Sequence, residues 1–188
     1  MIGHLFFWMS IGLWLLLEAY VFFKLNRKTN IENKEKKSKL IIFTLILIGM
    51  FGSIIVDPSV VETFLLPFNG ARYLSVPLIL LGVMIRYSAI RQLGSSFSVN
   101  VGVPKGTRLK KDGLYKYVRH PSYSGEFIIF FGVAAAIYHP VGSLFAFTFP
   151  TAAFLYRIHM EEKVLINSFG EEYKEYQKHT KKVLPYIY

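Results

Sequence analysis

The residues best equipped for chemistry stand in two clusters. The first is Tyr115-Lys116-Tyr117-Val118-Arg119-His120-Pro121-Ser122-Tyr123, a polar and aromatic block set against a long apolar segment. Pro121 holds the backbone of His120 extended. With Tyr115, Arg119 and Tyr123 beside it, His120 can hydrogen-bond a polar ligand. The second cluster is Arg157-Ile158-His159-Met160-Glu161-Glu162. Arg157 and Glu161 are four residues apart and share one helix face. As an exposed ion pair they would contribute only ~0.3–0.5 kcal/mol. Where a helix leaves a membrane the same groups can do more. A carboxylate there can accept from ribose hydroxyls or face an ammonium or sulfonium, and a guanidinium can hold an anionic group through two parallel hydrogen bonds.

Both clusters need a scaffold, and the remaining sequence supplies an apolar one. Of 188 residues, 53% are hydrophobic and 16% aromatic. Leu5 to Phe23 carries one charge, Glu18; Leu40 to Val56 carries none; Phe127 to Tyr156 lacks Asp, Glu, Lys and Arg. A bilayer crossing needs ~20 apolar residues, and the polar faces of a soluble bundle are missing. Spans are expected at about Ile2–Phe23, Leu40–Val56 and Tyr73–Ile90, followed by a hairpin of two shorter helices within Phe127–Tyr156 that turns at His139-Pro140. Arg86, one turn from the end of the third span, either snorkels to the interface or faces a polar cavity. Gln92 to Arg119 forms a polar connector punctuated by glycine and proline. In the tail, Leu165, Phe169, Tyr173 and Tyr176 recur at helical spacing, as in an amphipathic helix lying at the interface. The expected fold is all-α: a polytopic integral membrane protein of about five transmembrane helices, with a cytoplasmic catalytic connector and a C-terminal helix. It forms one membrane domain, residues 1–70 supplying N-terminal spans and 71–188 the core. A cleaved signal peptide is not expected, because the N-terminus lacks a basic region and the first apolar run is long.

The formal net charge of +10 is distributed as in a membrane protein, and no nucleic-acid partner is expected. Basic residues crowd Lys24–Lys39 and Arg91–Arg119, whereas Asp57 to Gly70 has no Lys or Arg. That asymmetry places the basic segments in the cytoplasm, near anionic lipid headgroups. The absence of cysteine excludes disulfides, thiolate catalysis and Cys-ligated metals. His120, His139 and His159 show no metal-ligand spacing. Gly102 to Gly106 matches neither dinucleotide nor phosphate-loop patterns.

Taken in order, these residues resemble the isoprenylcysteine carboxyl methyltransferase family of integral membrane enzymes. The matching elements are Leu93-Gly94-Ser95-Ser96-Phe97, then Gly113-Leu114-Tyr115 leading into Arg119-His120-Pro121-Ser122-Tyr123-Ser124-Gly125. Arg157 with Glu161-Glu162 follows, and then Phe169-Gly170-Glu171-Glu172-Tyr173-Lys174-Glu175-Tyr176, closing at Leu184-Pro185. The likeness covers about the C-terminal half; residues 1–70 match only in hydropathy. It implies S-adenosyl-L-methionine as cofactor, held by Thr107, Arg108, Leu109 and Lys110, by Tyr115, by His120, Pro121, Ser122 and Tyr123, and by Glu161. It also implies that Arg157 orients the carboxylate of the acceptor, with Arg157 and Glu161 as the catalytic pair. The acceptor is expected to be a lipophilic small molecule or a prenylated one, reached from the membrane and methylated on a carboxyl or hydroxyl oxygen. Related membrane folds keep other readings open: a phospholipid N-methyltransferase, an NADPH-dependent sterol-type reductase, or a non-catalytic scaffold that binds lipid.

Overall fold

A computed structural model describes residues 2–25, 33–56, 73–98, 102–103, 106–137 and 139–188. Six α-helices organise them: α1 (Ile2–Leu25), α2 (Asn33–Val56), α3 (Ser75–Leu93), α4 (Pro121–Ala136), α5 (Pro140–Phe169) and α6 (Glu171–His179). Among the described residues no strand forms, and Val118 and Lys181 meet in a single parallel bridge. Three helices are long and apolar enough to cross a membrane, within Gly3–Phe23, Ser75–Leu93 and Pro140–Phe169, and Leu40–Val56 is a shorter apolar stretch. Large apolar side chains such as Leu16, Phe23, Ile55 and Met84 point outward, as lipid-facing positions do.

The helix boundaries follow local chemistry. Pro121 and Pro140 each occupy the first turn of a helix, where a missing N–H costs nothing and φ is already set. His139 caps α5 by accepting the Gly142 N–H on Nδ1 at 3.3 Å. The expected hairpin therefore forms, but its arms are unequal at 16 and 30 residues, because α5 continues past the membrane-like stretch to Phe169. There Gly170, at φ 55°, ends it. The second helix also starts earlier than its apolar run, at Asn33, and the acid-containing stretch 57–70 lies outside the described residues.

The single amphipathic tail helix expected from the spacing of Leu165 to Tyr176 is not what forms. Gly170 divides that stretch between α5 and α6, and Tyr173 and Tyr176 are buried against the protein. Their periodicity reports packing on the bundle, not on lipid.

The α3–α4 pair is the tightest in the bundle. A Cβ on Gly82 would come within 2.6 Å of the Gly125 carbonyl oxygen, and one on Gly125 within 2.6 Å of the Gly82 carbonyl and 2.8 Å of the Arg86 nitrogen. The two helices thus touch backbone to backbone, as small residues allow in membranes. Around this seam, Phe7, Leu17 and Val21 of α1 join Ile79, Val83 and Ile90 of α3 and Ile129 and Ala136 of α4 in one core. Helix α1 packs chiefly on α3 and α2 on α5, while α1 and α2 share no comparable contact. Gly125→Ala should cost ~1–3 kcal/mol, because backbone atoms cannot yield, and should lower Tm in detergent by several degrees. Gly12, with nothing within 4 Å of a new Cβ, is the control: Gly12→Ala should not lower Tm.

Candidate active site

A cavity of about 770 Å³ opens between the helices and the connector, within the usual size of small-molecule and cofactor sites. Its walls differ in chemistry. Val21, Phe22, Leu40, Phe43 and Ile46 of α1 and α2, with Phe154 and Leu165 of α5, form an apolar side. The connector, with Ser96, Ser98 and Thr107–Lys110, and the start of α4 form a polar one. Helices α1 and α2, which scarcely touch each other, both contribute to this apolar side.

At the junction stands the i,i+4 pair expected from the sequence. Arg157 Nε donates to Glu161 Oε1 at 3.0 Å, and the Tyr123 hydroxyl donates to the same oxygen at 2.5 Å. His120 Nδ1 stands 3.8 Å from Glu161 Oε2. Arg157 and His120 are buried, and Glu161 is half-buried. The ring of Tyr123 packs edge-on against Phe154 at 5.3 Å between centroids. Thus Glu161 joins two helices: α5 supplies the ion pair and α4 the phenol. This is not a surface pair, and its bonds are shielded from water, where charge-assisted hydrogen bonds count for more.

His120 Nε2 is buried and lacks a hydrogen-bond partner among the described residues; it stands 3.5 Å from Glu162 Oε1 without the alignment of a bond. Glu162 is committed elsewhere, pairing with Arg119 Nε at 2.7 Å. The Arg119 guanidinium also donates to the Thr180 carbonyl. The tail is tied down along its length: Arg119 N–H to Lys181 O at 2.8 Å, His120 N–H to Lys182 O at 2.9 Å and Ser124 Oγ to Val183 O at 2.6 Å. Arg119, next to His120 in sequence, lines the cavity and also clamps the tail beneath the site. Tyr176 donates to the Tyr115 carbonyl at 2.5 Å, and Tyr115 donates to the Ala89 carbonyl at 3.3 Å, so tail, connector and α3 are stitched in sequence.

Of the residues expected to hold cofactor or acceptor, Thr107, Arg108, Leu109, Lys110, Tyr115, His120, Ser122, Tyr123, Arg157 and Glu161 all line this cavity. Pro121 does not; it is fully buried at the start of α4, where its ring sets the helix. Sequence reasoning missed the contribution of α1. Glu18 lines the cavity and pairs with Arg86, Nε to Oε1 at 2.5 Å and Nη2 to Oε2 at 2.7 Å. Arg86 thus faces inward instead of snorkelling. It also donates through Nη1 to Ser122 Oγ at 2.9 Å and stands 2.5 Å from Glu126 Oε1. The signal was available, since a lone acid in an apolar span is seldom idle.

An all-helical bundle with paired charges around an internal cavity, and with helices long and apolar enough to span, is an integral membrane protein. The comparisons with known proteins are specific. Residues 75–167 match the isoprenylcysteine carboxyl methyltransferase family. The protein-S-isoprenylcysteine O-methyltransferase of Schizosaccharomyces pombe is 36% identical over 129 residues, 66% of this chain and 55% of that protein. Its counterpart in Saccharomyces cerevisiae is 38% identical over 113 residues, 58% and 47% of the two chains. A solved structure of the eukaryotic intramembrane Ras methyltransferase, isoprenylcysteine carboxyl methyltransferase, superposes with a TM-score of 0.62 at 20% identity, covering 98% of this chain and 68% of that one. Through residues 75–167 the chain belongs to the isoprenylcysteine carboxyl methyltransferase family. It spans about half the length of the curated relatives it matches.

Burial pushes the phenol of Tyr176 up from 10.0 to about 12, and burial raises Tyr115 and Tyr173 as well. Unfolded tyrosine ionises first, so the contribution of Tyr176 is complete below pH 10 and is lost as pH rises through 12. Tm should fall across that window, and fall less steeply in Tyr176→Phe. Identical slopes would mean that other groups set the alkaline limit.

Proposed function

We propose that this chain is an S-adenosyl-L-methionine-dependent membrane methyltransferase that esterifies the carboxyl group of a lipophilic, prenylated acceptor. The observation that carries this reading is the Tyr123–Glu161–Arg157 group, set where an apolar cavity wall meets a polar one. A lipid-tailed acid and a water-soluble cofactor would each find a matching surface there, with a guanidinium and a carboxylate between them.

The residues present suit such a cofactor. The cavity is large enough, Glu161 offers a carboxylate to a cationic sulfur or a ribose, and the buried His120 adds a polar ring to the same wall. Thr107 to Lys110, Tyr115, His120, Ser122, Tyr123 and Glu161 would hold it, with Arg108 and Lys110 toward its anionic end. When bound, S-adenosyl-L-methionine supplies an activated methyl group. The chain's own task is then placement. Glu161 and Tyr123 fix the plane of the Arg157 guanidinium, so that its fork can orient an acceptor carboxylate. The aromatic and aliphatic wall excludes water from an anionic oxygen. A carboxylate acceptor has no proton to lose, so a site without an assigned general base is sufficient, and positioning supplies most of the rate. Helices α1 to α5 are proposed as five spans, with the basic 24–39 segment, the connector and the tail in the cytoplasm. Residues 71–188 form the methyltransferase core, to which α1 and α2 add the acceptor wall.

Calorimetry in detergent tests the cofactor. S-adenosylhomocysteine should bind, and His120→Ala, Tyr123→Ala and Glu161→Ala should each weaken it by ~1–3 kcal/mol without loss of fold. Heat from NADPH and none from S-adenosylhomocysteine would point to a reductase instead.

Turnover tests Arg157. Arg157→Lys should keep Tm and cofactor binding yet lose at least tenfold in kcat/KM for a prenylated thioether acid, ~1.4 kcal/mol. Activity within about twofold of the parent, ~0.4 kcal/mol, would reduce Arg157 to a structural ion pair.

A further inference from the structure

Arg86 is shared between two acids. Its guanidinium stands against two carboxylates, Glu18 from α1 and Glu126 from α4, both with a closest approach of 2.5 Å to Nε. One partner would satisfy the charge, and a second is unfavourable at bilayer depth unless it has a use. The two acids are not equivalent. Glu126 is 1% exposed and is not part of the cavity wall. The Glu18 side chain is 33% exposed, borders the cavity, and belongs to the helix that leans chiefly on α3. Glu18 also takes the better geometry, both its oxygens lying on the Nε and Nη2 edge of the guanidinium. That is the arrangement in which arginine recognises any carboxylate.

Resting on the carboxyl-methylation reading above, we propose that the Arg86 fork is a second carboxylate-binding site, for which Glu18 is the resident and displaceable occupant. Glu126 is the buried partner that stays at Arg86, and Ser122 the fixed hydrogen-bond partner. An acid-headed lipid coming from the α1–α2 side meets this fork beside the apolar wall. Exchange for Glu18 leaves Arg86 with two carboxylates, an arrangement the fold already accommodates. Glu18 returns to the fork when the acid moves on to Arg157, and a methyl ester, having no charge, cannot displace it again on the way out. The pair therefore discriminates acid from ester and favours departure of the neutral lipid. Ser122 ties the fork to the working site, since the next residue is Tyr123, which donates to Glu161.

The test is equilibrium binding of a radiolabelled S-prenylated cysteine acid and its carboxamide to cofactor-free protein in nanodiscs. Glu18→Gln keeps the Arg86–Glu126 pair balanced and removes the competitor. It should tighten the acid by at least about threefold and leave the carboxamide unchanged. Glu18→Asp, too short to fill the fork, should shift in the same direction. Unchanged or weaker acid binding by a folded Glu18→Gln protein, one that still binds S-adenosylhomocysteine, would overturn the proposal. So would loss of Tm and of cofactor binding in both variants, which would make Glu18 a structural pin. An acid that binds neither the parent nor Glu18→Gln, while S-adenosylhomocysteine binds both, would defeat the carboxylate-acceptor reading itself. Binding to the parent with no gain in the variant would defeat only the exchange.

Discussion

A charge at bilayer depth must be paired, and pairing requires that helices come close enough to share it. Here the approach is made by glycine. Because Gly82 and Gly125 let α3 and α4 meet backbone to backbone, Arg86 reaches Ser122 and Glu126 on the neighbouring helix. The same contact fixes the first turn of α4, and with it His120 and Tyr123. A methyl group on either side of that seam would meet backbone atoms of the other helix at 2.6 Å. The polar cavity is thus a consequence of two residues without side chains.

The C-terminal segment shows how a site can be built from below. Arg119 is held by Glu162 and by tail carbonyls, while consecutive N–H groups of Arg119 and His120 bond to Lys181 and Lys182. The tail is no loose end; it is the support on which the His120 backbone rests. Charges next to one another in sequence are divided between two tasks. Glu161 faces the cavity with Tyr123 and Arg157, and Glu162 faces the clamp.

What could be read in the sequence was local. Arg157 and Glu161 are neighbours because an α-helix makes them so, and Pro121 marks the start of α4 for reasons internal to the dipeptide. The apolar runs announced helices of spanning length. Pairings across long separations were not legible: Glu18 meets Arg86 over 68 positions and Tyr123 meets Glu161 over 38, and no periodicity encodes either. The tail misled for a different reason. Leu165, Phe169, Tyr173 and Tyr176 keep helical spacing straight through Gly170, and only its positive φ shows that one pattern serves two helices facing different surroundings.

Helix α5 is 30 residues long, about 45 Å at 1.5 Å per residue, whereas the hydrocarbon layer is about 30 Å thick. With the topology proposed above, its final turns extend beyond the lipid and the Arg157–Glu161 pair lies near the boundary between two phases. A site so placed draws on two different reservoirs. The water-soluble cofactor proposed for it would be governed by bulk concentration, and the proposed lipid-tailed acceptor by surface density in the membrane. Diluting the vesicles in buffer would lower the first and leave the second untouched, while adding inert lipid would do the reverse. The rate law of such a protein has one three-dimensional and one two-dimensional variable.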